Sequence, residues 1–408
     1  MGRPLYFMLR VANLAIKPMA LLVAGRMGFV EEASALSAMY GVSAITMTSM
    51  SFGAYKWFLP IEHRASRGSL YLTAFSVYRG VVLLGVLLAI LVGYVTGAFL
   101  FHAPDMSLVL MALVCAEFIV HEDGRRKLYA GRLVHWAAEM LLSNVVFLSA
   151  LAIFAVAEKY EIAPAGMSLP VAACAMLVFA LVNSMREGVL ELDRGKWWPS
   201  THGLRMVVRR TVKFSSYTIS SMASRSVQQG DRILFYALMP ANAWIYSIVA
   251  YAATVPLVLF EMNSMAVFKA KVLGNRRSRS NMGFQLLSRK DVEIFILISS
   301  AATIGLLGSH LLGVLRIPGL IWLIFAQMCL INFLQALVMK NSEQVFWAAS
   351  SPRSYFQIEA VSFLVLAAAS FMVLYVVELP LFIKVPAAMA LLAKLMMSRV
   401  FLQRRGVR

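Results

Sequence analysis

The feature that most constrains this chain is a series of apolar runs too long for an ordinary soluble core. Val81–Leu100, Ile294–Leu315 and Val361–Val377 contain no Asp, Glu, Lys or Arg. Runs of this length approach or exceed what an α-helix needs to cross about 30 Å of hydrocarbon. A membrane barrel would instead show strands of about ten residues with alternating polarity. Composition agrees: 60% of residues are hydrophobic, 14% are charged, and mean hydropathy is +0.75. Water is not the solvent for most of such a chain. The sequence therefore predicts an all-α polytopic membrane protein of about twelve transmembrane helices.

Spans are expected near 5–26, 34–58, 70–98, 106–121, 133–157, 168–185, 214–239, 242–267, 291–315, 318–339, 357–377 and 380–400. An even number places both termini on one side, and alternate connections can then be compared for basic residues. The formal charge of +18 would point a soluble protein towards nucleic acid. Here most Lys and Arg fall in connections on the side of the termini, among them Arg125, Arg126 and Lys127, then Arg205, Arg209 and Arg210, then Arg276, Arg277 and Arg279, and finally Arg404 and Arg405. The opposite connections are short and acidic or neutral, with Glu31, Glu32, Asp105, Glu158, Glu161 and Glu378. That asymmetry is the positive-inside signature, with no nucleic acid implied and both termini cytoplasmic. The first apolar segment, Leu5–Val23, carries Arg10 and Lys17 and has no small-residue cleavage site after it, so it reads as a retained span.

The longest polar stretch, Arg186–Lys213, contains Trp197, Trp198 and Pro199 and divides the chain into two sets of six spans. It reads as a linker between an N-terminal bundle, 1–200, and a C-terminal bundle, 201–408. Its basic and Trp content suits an interfacial anchor and contact with anionic headgroups.

The first span of each half is unusually polar. At helical spacing one carries Tyr6, Arg10, Asn13 and Lys17, the other Thr218, Ser221, Arg225, Gln228 and Arg232. In both, an Arg is followed three residues on by an amide and four further on by a cation, so the three share one helix face. The two sets lie 215 positions apart, as two structural repeats around a central site would place them. Cations in hydrocarbon are expensive and normally face a wet cavity or a partner. A cavity lined by Arg10, Asn13, Lys17, Arg225, Gln228 and Arg232 would attract phosphate or carboxylate, for which Arg offers a bidentate fork. Snorkelling of Arg10 to the membrane edge, and pairing of Arg232 with Asp231 or Glu261, are the structural alternatives.

The second span of each half is rich in hydroxyls, with Tyr40, Ser43 and Thr46 in one and Ser247, Tyr251 and Thr254 in the other. Such faces suit sugars and equally suit close helix packing. His135 and Glu139 share a helical face, as a buried polar contact or a proton relay. Three cysteines, Cys115, Cys174 and Cys329, lie in apolar runs with no metal-ligand spacing, and no metal or cofactor is expected.

One stretch resembles a known family. Gln228–Leu234 with Asp231-Arg232, then Pro240, then Ile245–Tyr251 with its Tyr-Ser pair is similar to the seventh and eighth helices of Wzx-like polysaccharide flippases. Gly25–Gly28 followed by Glu31, Glu32 and Ala33 looks like the first turn of the same superfamily, the multidrug, oligosaccharidyl-lipid and polysaccharide (MOP) exporters. Trp244-Ile245 stands where a Gly usually precedes the Tyr-Ser pair, and Pro240 replaces a turn Gly. The resemblance implies two bundles of six helices related by a pseudo-twofold axis. It also implies a non-enzymatic flippase that moves undecaprenyl-diphosphate-linked oligosaccharide to the outer leaflet of a bacterial inner membrane by alternating access. Membrane lipid and a polysaccharide polymerase would be its partners. Ion coupling would fall to Asp231, with Glu261 and Glu139 as further candidates. The alternative is a multidrug or other small-molecule antiporter of the same superfamily, which would want acidic groups where these stripes are basic. A membrane-embedded polyprenyl-sugar enzyme has little room in the short outer connections.

Overall fold

The computed structural model describes residues 2–50, 58, 69–129, 132–191, 201–261, 284–348, 352–377 and 379–406. Among them are twelve long α-helices: α1 (Gly2–Arg26), α2 (Val30–Ser49), α3 (Ser69–Phe101), α4 (Pro104–Tyr129), α5 (Leu133–Lys159), α6 (Ser168–Glu187), α7 (Thr201–Leu238), α8 (Ala243–Phe260), α9 (Arg289–Leu311), α10 (Gly319–Ala348), α11 (Pro352–Met372) and α12 (Val385–Gly406). Ten of these are long and apolar enough to cross a membrane; α2 and α7 are the two that are not. The all-α polytopic fold expected from the apolar runs is therefore the observed one.

The chain forms two compact units, Met1–Arg225 and Ser226–Arg408. In the first, α4 is the central helix, packed against α2, α3, α5 and α6, and α1 lies against α2 and α5. Close approach of α3 to α4 depends on glycine: a Cβ on Gly93 would sit 2.9 Å from Met111 Cα, and one on Gly97 would sit 2.6 Å from Ser107 Cα. Small residues let helix backbones meet where burial of apolar surface supplies no driving force. In the second unit, α10 packs against α8 and α12, α11 against α12, and α9 against α8. Large apolar side chains such as Leu87, Leu91, Leu297, Leu330 and Leu364 face outward. That inversion of the soluble pattern is what a lipid solvent produces.

Three polar segments differ from the sequence expectation. The two compact units meet inside α7, whose first turns are docked on α3: Val207 packs with Phe75, Tyr78 and Val81. Residues 201–213, expected as part of a linker, are thus helical. Their charges hide a helical period carried by Leu204, Val208 and Val212. Arg125, Arg126 and Lys127, expected in a loop, lie in the last turns of α4, where Arg125 donates to Glu122 at 2.9 Å. Glu158, expected in an outer connection, is buried at the end of α5 and accepts from the backbone N–H of Gly166, at 2.9 Å, and of Ser168. The basic cluster at 276–279 and Glu378 lie outside the described residues.

Between α6 and the undescribed stretch that follows, Gly188–Glu191 is strapped to unit 1. Arg79, fully buried on α3, donates to the carbonyls of Val189, at 3.2 Å, and Glu191. Asp123 accepts from Val189 N–H at 2.6 Å, and its second oxygen lies only 2.3 Å from where a Cβ on Gly188 would be. Glycine is thus the residue that lets the strap lie on the carboxylate.

Candidate functional site

The stripe on α1 faces its own unit. Tyr6 stacks on Trp136 of α5 with ring centroids 6.0 Å apart, and the Arg10 guanidinium lies 4.6 Å from a Trp136 ring centroid. One turn further on, Asn13 accepts from Asn144 of α5 at 2.8 Å. Lys17 reaches α4, where it pairs with the buried Glu117 and lies 4.7 Å from the Tyr40 ring centroid. The other oxygen of Glu117 accepts from Ser43 of α2 at 2.6 Å. The helical spacing therefore brought Arg10, Asn13 and Lys17 to one face, and that face meets α5 and α4.

The stripe on α7 is organised around Asp231. Its carboxylate takes the ammonium of Lys384, at the turn before α12, and the hydroxyl of Tyr246 on α8. Tyr246 is fixed in turn by stacking on Phe235, with centroids 4.1 Å apart. The partner of Asp231 is thus neither Arg225 nor Arg232. Arg232 is buried with its guanidinium 3.9 Å from the Tyr251 ring centroid, and Gln228 and Arg225 are half-buried about one and two turns away.

Glu139 does not pair with His135. Its oxygens take Lys127 of α4, at 2.7 Å, and the amide of Asn183 on α6, while His135 is exposed. The intra-helix pairing failed because α4 extends far enough to bring Lys127 beside α5. Glu261, at the end of α8, is exposed. A fourth pair joins Lys394 of α12 to Glu359 of α11, and the sequence reading did not single it out. Each residue sits alone in an apolar helix at positions far apart in the chain, so only their burial, at 6% and 1% exposed, marks them.

Charge allocation follows a rule across both units. Eight carboxylates are buried among the described residues, and each has a fixed donor. Lysine serves Glu117, Glu139, Asp231 and Glu359. Arg125 serves Glu122 and backbone N–H groups serve Asp123, Glu158 and Asp291. Arg10 and Arg232, in contrast, rest on aromatic rings and make no salt bridge with a described carboxylate, although Arg232 lies in the field of Asp231. The in-plane N–H groups of a guanidinium stacked on a ring remain directed away from the ring and suited to an oxyanion. No group of three or more His, Cys, Asp or Glu that could hold a metal ion occurs among the described residues.

No family model matches this sequence, and no curated protein matches it. Solved structures do. An inward-facing multidrug resistance MATE family transporter of the MOP superfamily superposes with a TM-score of 0.52 at 12% identity, over 97% of this chain and 94% of that one. A MOP superfamily transporter from Pyrococcus furiosus, described by the reverse polarity of its binding pocket, gives 0.47 at 12% identity over 99% and 93%. A MATE transporter in complex with MaL6 gives 0.47 at 14% over 98% and 95%. Identities this low speak to architecture, and only the first superposition is close enough to argue from. The likeness is one of fold: this chain is similar in fold to the inward-facing MATE family transporter.

Proposed function

We propose that the protein is an alternating-access membrane transporter of an anionic substrate, and that this substrate is a polyprenyl-diphosphate-linked oligosaccharide carried to the outer leaflet of a bacterial inner membrane. The observation that carries this reading is the charge allocation. All eight buried carboxylates already hold donors, whereas Arg10 rests on Trp136 and Arg232 rests on Tyr251 beside an Asp231 already taken by Lys384 and Tyr246. An organic cation needs a carboxylate whose charge is not already spent. A diphosphate needs the fork that an unpaired guanidinium presents. The hydroxyl-bearing faces of α2 and α8 suit a saccharide, and the polyprenyl tail would stay in lipid. A membrane lipid and a polysaccharide polymerase remain the partners this reading calls for.

A second reading, multidrug or other small-molecule antiport, is favoured by the likeness in fold to a multidrug resistance transporter, which supports it better than it supports a lipid-linked substrate. Neither reading involves covalent chemistry, and the solved structures of this fold named above are transporters.

One experiment separates the two. In cells lacking the native protein, Arg10→Ala, Arg232→Ala and, as control, Arg289→Ala are compared at matched membrane levels for outer-leaflet delivery of polyprenyl-linked oligosaccharide and for ethidium efflux. The expected result is loss of delivery in the first two variants only, with no efflux above background in any. Ethidium efflux that survives the loss of both arginines would establish the antiporter reading in its place.

A further inference from the structure

The turn that joins α9 to α10 is closed by an imidazole. Near the end of α9, His310 Nδ1 accepts from the backbone N–H of Ile317, seven residues further on, at 3.1 Å. A backbone N–H can only donate, so Nδ1 carries the lone pair and the ring is neutral, with its proton on Nε2. Trp322, in the first turn of α10, meets the ring edge-on, with centroids 6.2 Å apart and an interplanar angle of 86°. The turn itself is tight. Gly313 has a φ of 68°, which favours glycine, and Leu315 N–H donates to the carbonyl of Ser309 at 3.0 Å. Leu315 and Ile317 are buried on either side of the exposed Arg316. Closure matters for α9 because few of its residues anchor it: of 23, Asp291, Phe295 and Leu306 are buried. Phe295 holds its first half against Phe260 of α8 and Phe333 of α10, and the bond from Ile317 to His310 ties the far end to the start of α10.

Unit 1 performs the same task with a different group. Near the end of α5, Glu158 closes the turn to α6 by accepting from the N–H of Gly166, at 2.9 Å, and of Ser168. A carboxyl group keeps acceptor capacity in either charge state, whereas an imidazole nitrogen that gains a proton becomes a donor. Histidine is the side chain whose charge changes between about pH 5 and pH 8. A proton on His310 Nδ1 would set two N–H groups against each other and leave the buried Ile317 N–H without an acceptor. The neighbouring segments offer the charged ring no carboxylate. Residues 243–260 of α8, 295–311 of α9 and 319–339 of α10 contain no Asp, Glu, Lys or Arg, and their other titratable residues are Tyr246, Tyr251 and Cys329. The one charge in the turn, Arg316, has the same sign as an imidazolium.

We propose that His310 is a pH-sensitive latch: its neutral ring holds the α9–α10 turn closed, and its protonation releases Ile317 and frees the end of α9 from α10. The bond needs the neutral ring, so the hold is present above the range in which histidine titrates and is lost below it. The latch lies within unit 2 and is independent of the substrate assignment.

The test is hydrogen exchange of the purified full chain in detergent at about pH 7.5 and about pH 5, which bracket the titration of histidine. Exchange is read by mass spectrometry on peptides covering residues 312–318 and corrected for the intrinsic pH dependence of the reaction. The wild type is expected to lose protection there by about ten-fold at the lower pH, the loss that an N–H left without an acceptor produces. Peptides of the turn that Glu158 closes should lose much less. His310→Asn places a side-chain oxygen where Nδ1 stood, does not titrate, and should keep its protection at both pH values. His310→Ala should resemble the acid form of the wild type at both. Equal protection of the wild type at the two pH values overturns the proposal, as does an equal loss in the Glu158 turn, which would mark general loosening. A pH-dependent loss that persists in His310→Asn, or full protection in folded His310→Ala at the higher pH, overturns it as well.

Discussion

Lys384 and Asp231 show how single residues hold a helix bundle together where water is excluded. Each is almost fully buried, and their pairing joins α7 to the turn before α12 while Tyr246 brings in α8. Taking two ions out of water costs several kcal/mol each, so the pair is stable only while both partners and the tyrosine donor are present. Removing one partner leaves an uncompensated charge, at a cost of about 3–5 kcal/mol. Asp231→Asn should therefore lower the melting temperature of the detergent-solubilised protein markedly, whereas Asp231→Asn combined with Lys384→Met should recover much of the loss. Thermal unfolding of the two variants checks this, and equal losses in both would mean that the pair contributes nothing beyond its separate contacts. The same residues mark where sequence reasoning ran out. Asp231 was legible as a buried acid on a polar helix face. Lys384 was not legible as its partner, because 153 positions separate the two and nothing in an i, i+4 pattern reaches across helices.

At the scale of elements, the apolar runs made the spans legible to within a few residues, since a segment in lipid must satisfy every backbone group internally and so must be helical. Extensions beyond the hydrocarbon were not legible. The last turns of α4 and the first turns of α7 are charged, and a hydropathy reading ends a span where charge begins even though the helix continues. Arg125 and Arg205 were assigned to connections for that reason, and both lie on helices. Close packing was hidden as well, because a glycine in an apolar run shows no distinctive pattern. Gly97 is the sharpest case: with Ser107 Cα 2.6 Å from the position of an added Cβ, any side chain must push α3 off α4. Overpacking of this kind costs typically about 1–3 kcal/mol and more for a large group. Gly97→Leu is expected to lower folded yield and melting temperature well beyond Leu87→Ala, a change of an outward-facing residue on the same helix, as size-exclusion recovery and thermal unfolding will report.

For the whole molecule the open quantity is the parity of the crossings, and it rests on the two helices that hydropathy alone does not qualify. If α2 and α7 both cross, the turn before α2, the connection between α5 and α6, and the one between α9 and α10 lie on one side. The connections between α4 and α5 and between α8 and α9 then lie on the other, with both termini. If α2 fails to cross, Glu31 moves to the side opposite Ile162. If α7 fails to cross, Leu312 does so. The positive-inside asymmetry argues that α7 crosses, because the basic residues at Arg132 and Arg289 fall on the same side only if it does. Single cysteines at the exposed positions Glu31, Ile162, Leu312, Arg132 and Leu286 settle it, in a background from which Cys115, Cys174 and Cys329 have been removed. A membrane-impermeant maleimide applied to intact cells should label the first three and spare the last two, and permeabilisation should then expose the spared pair. Labelling of Glu31→Cys without Ile162→Cys, or of Ile162→Cys without Leu312→Cys, would identify α2 or α7 as the helix that does not cross. Either outcome would remove the arrangement in which the two polar stripes are the first helices of two matching sets of six.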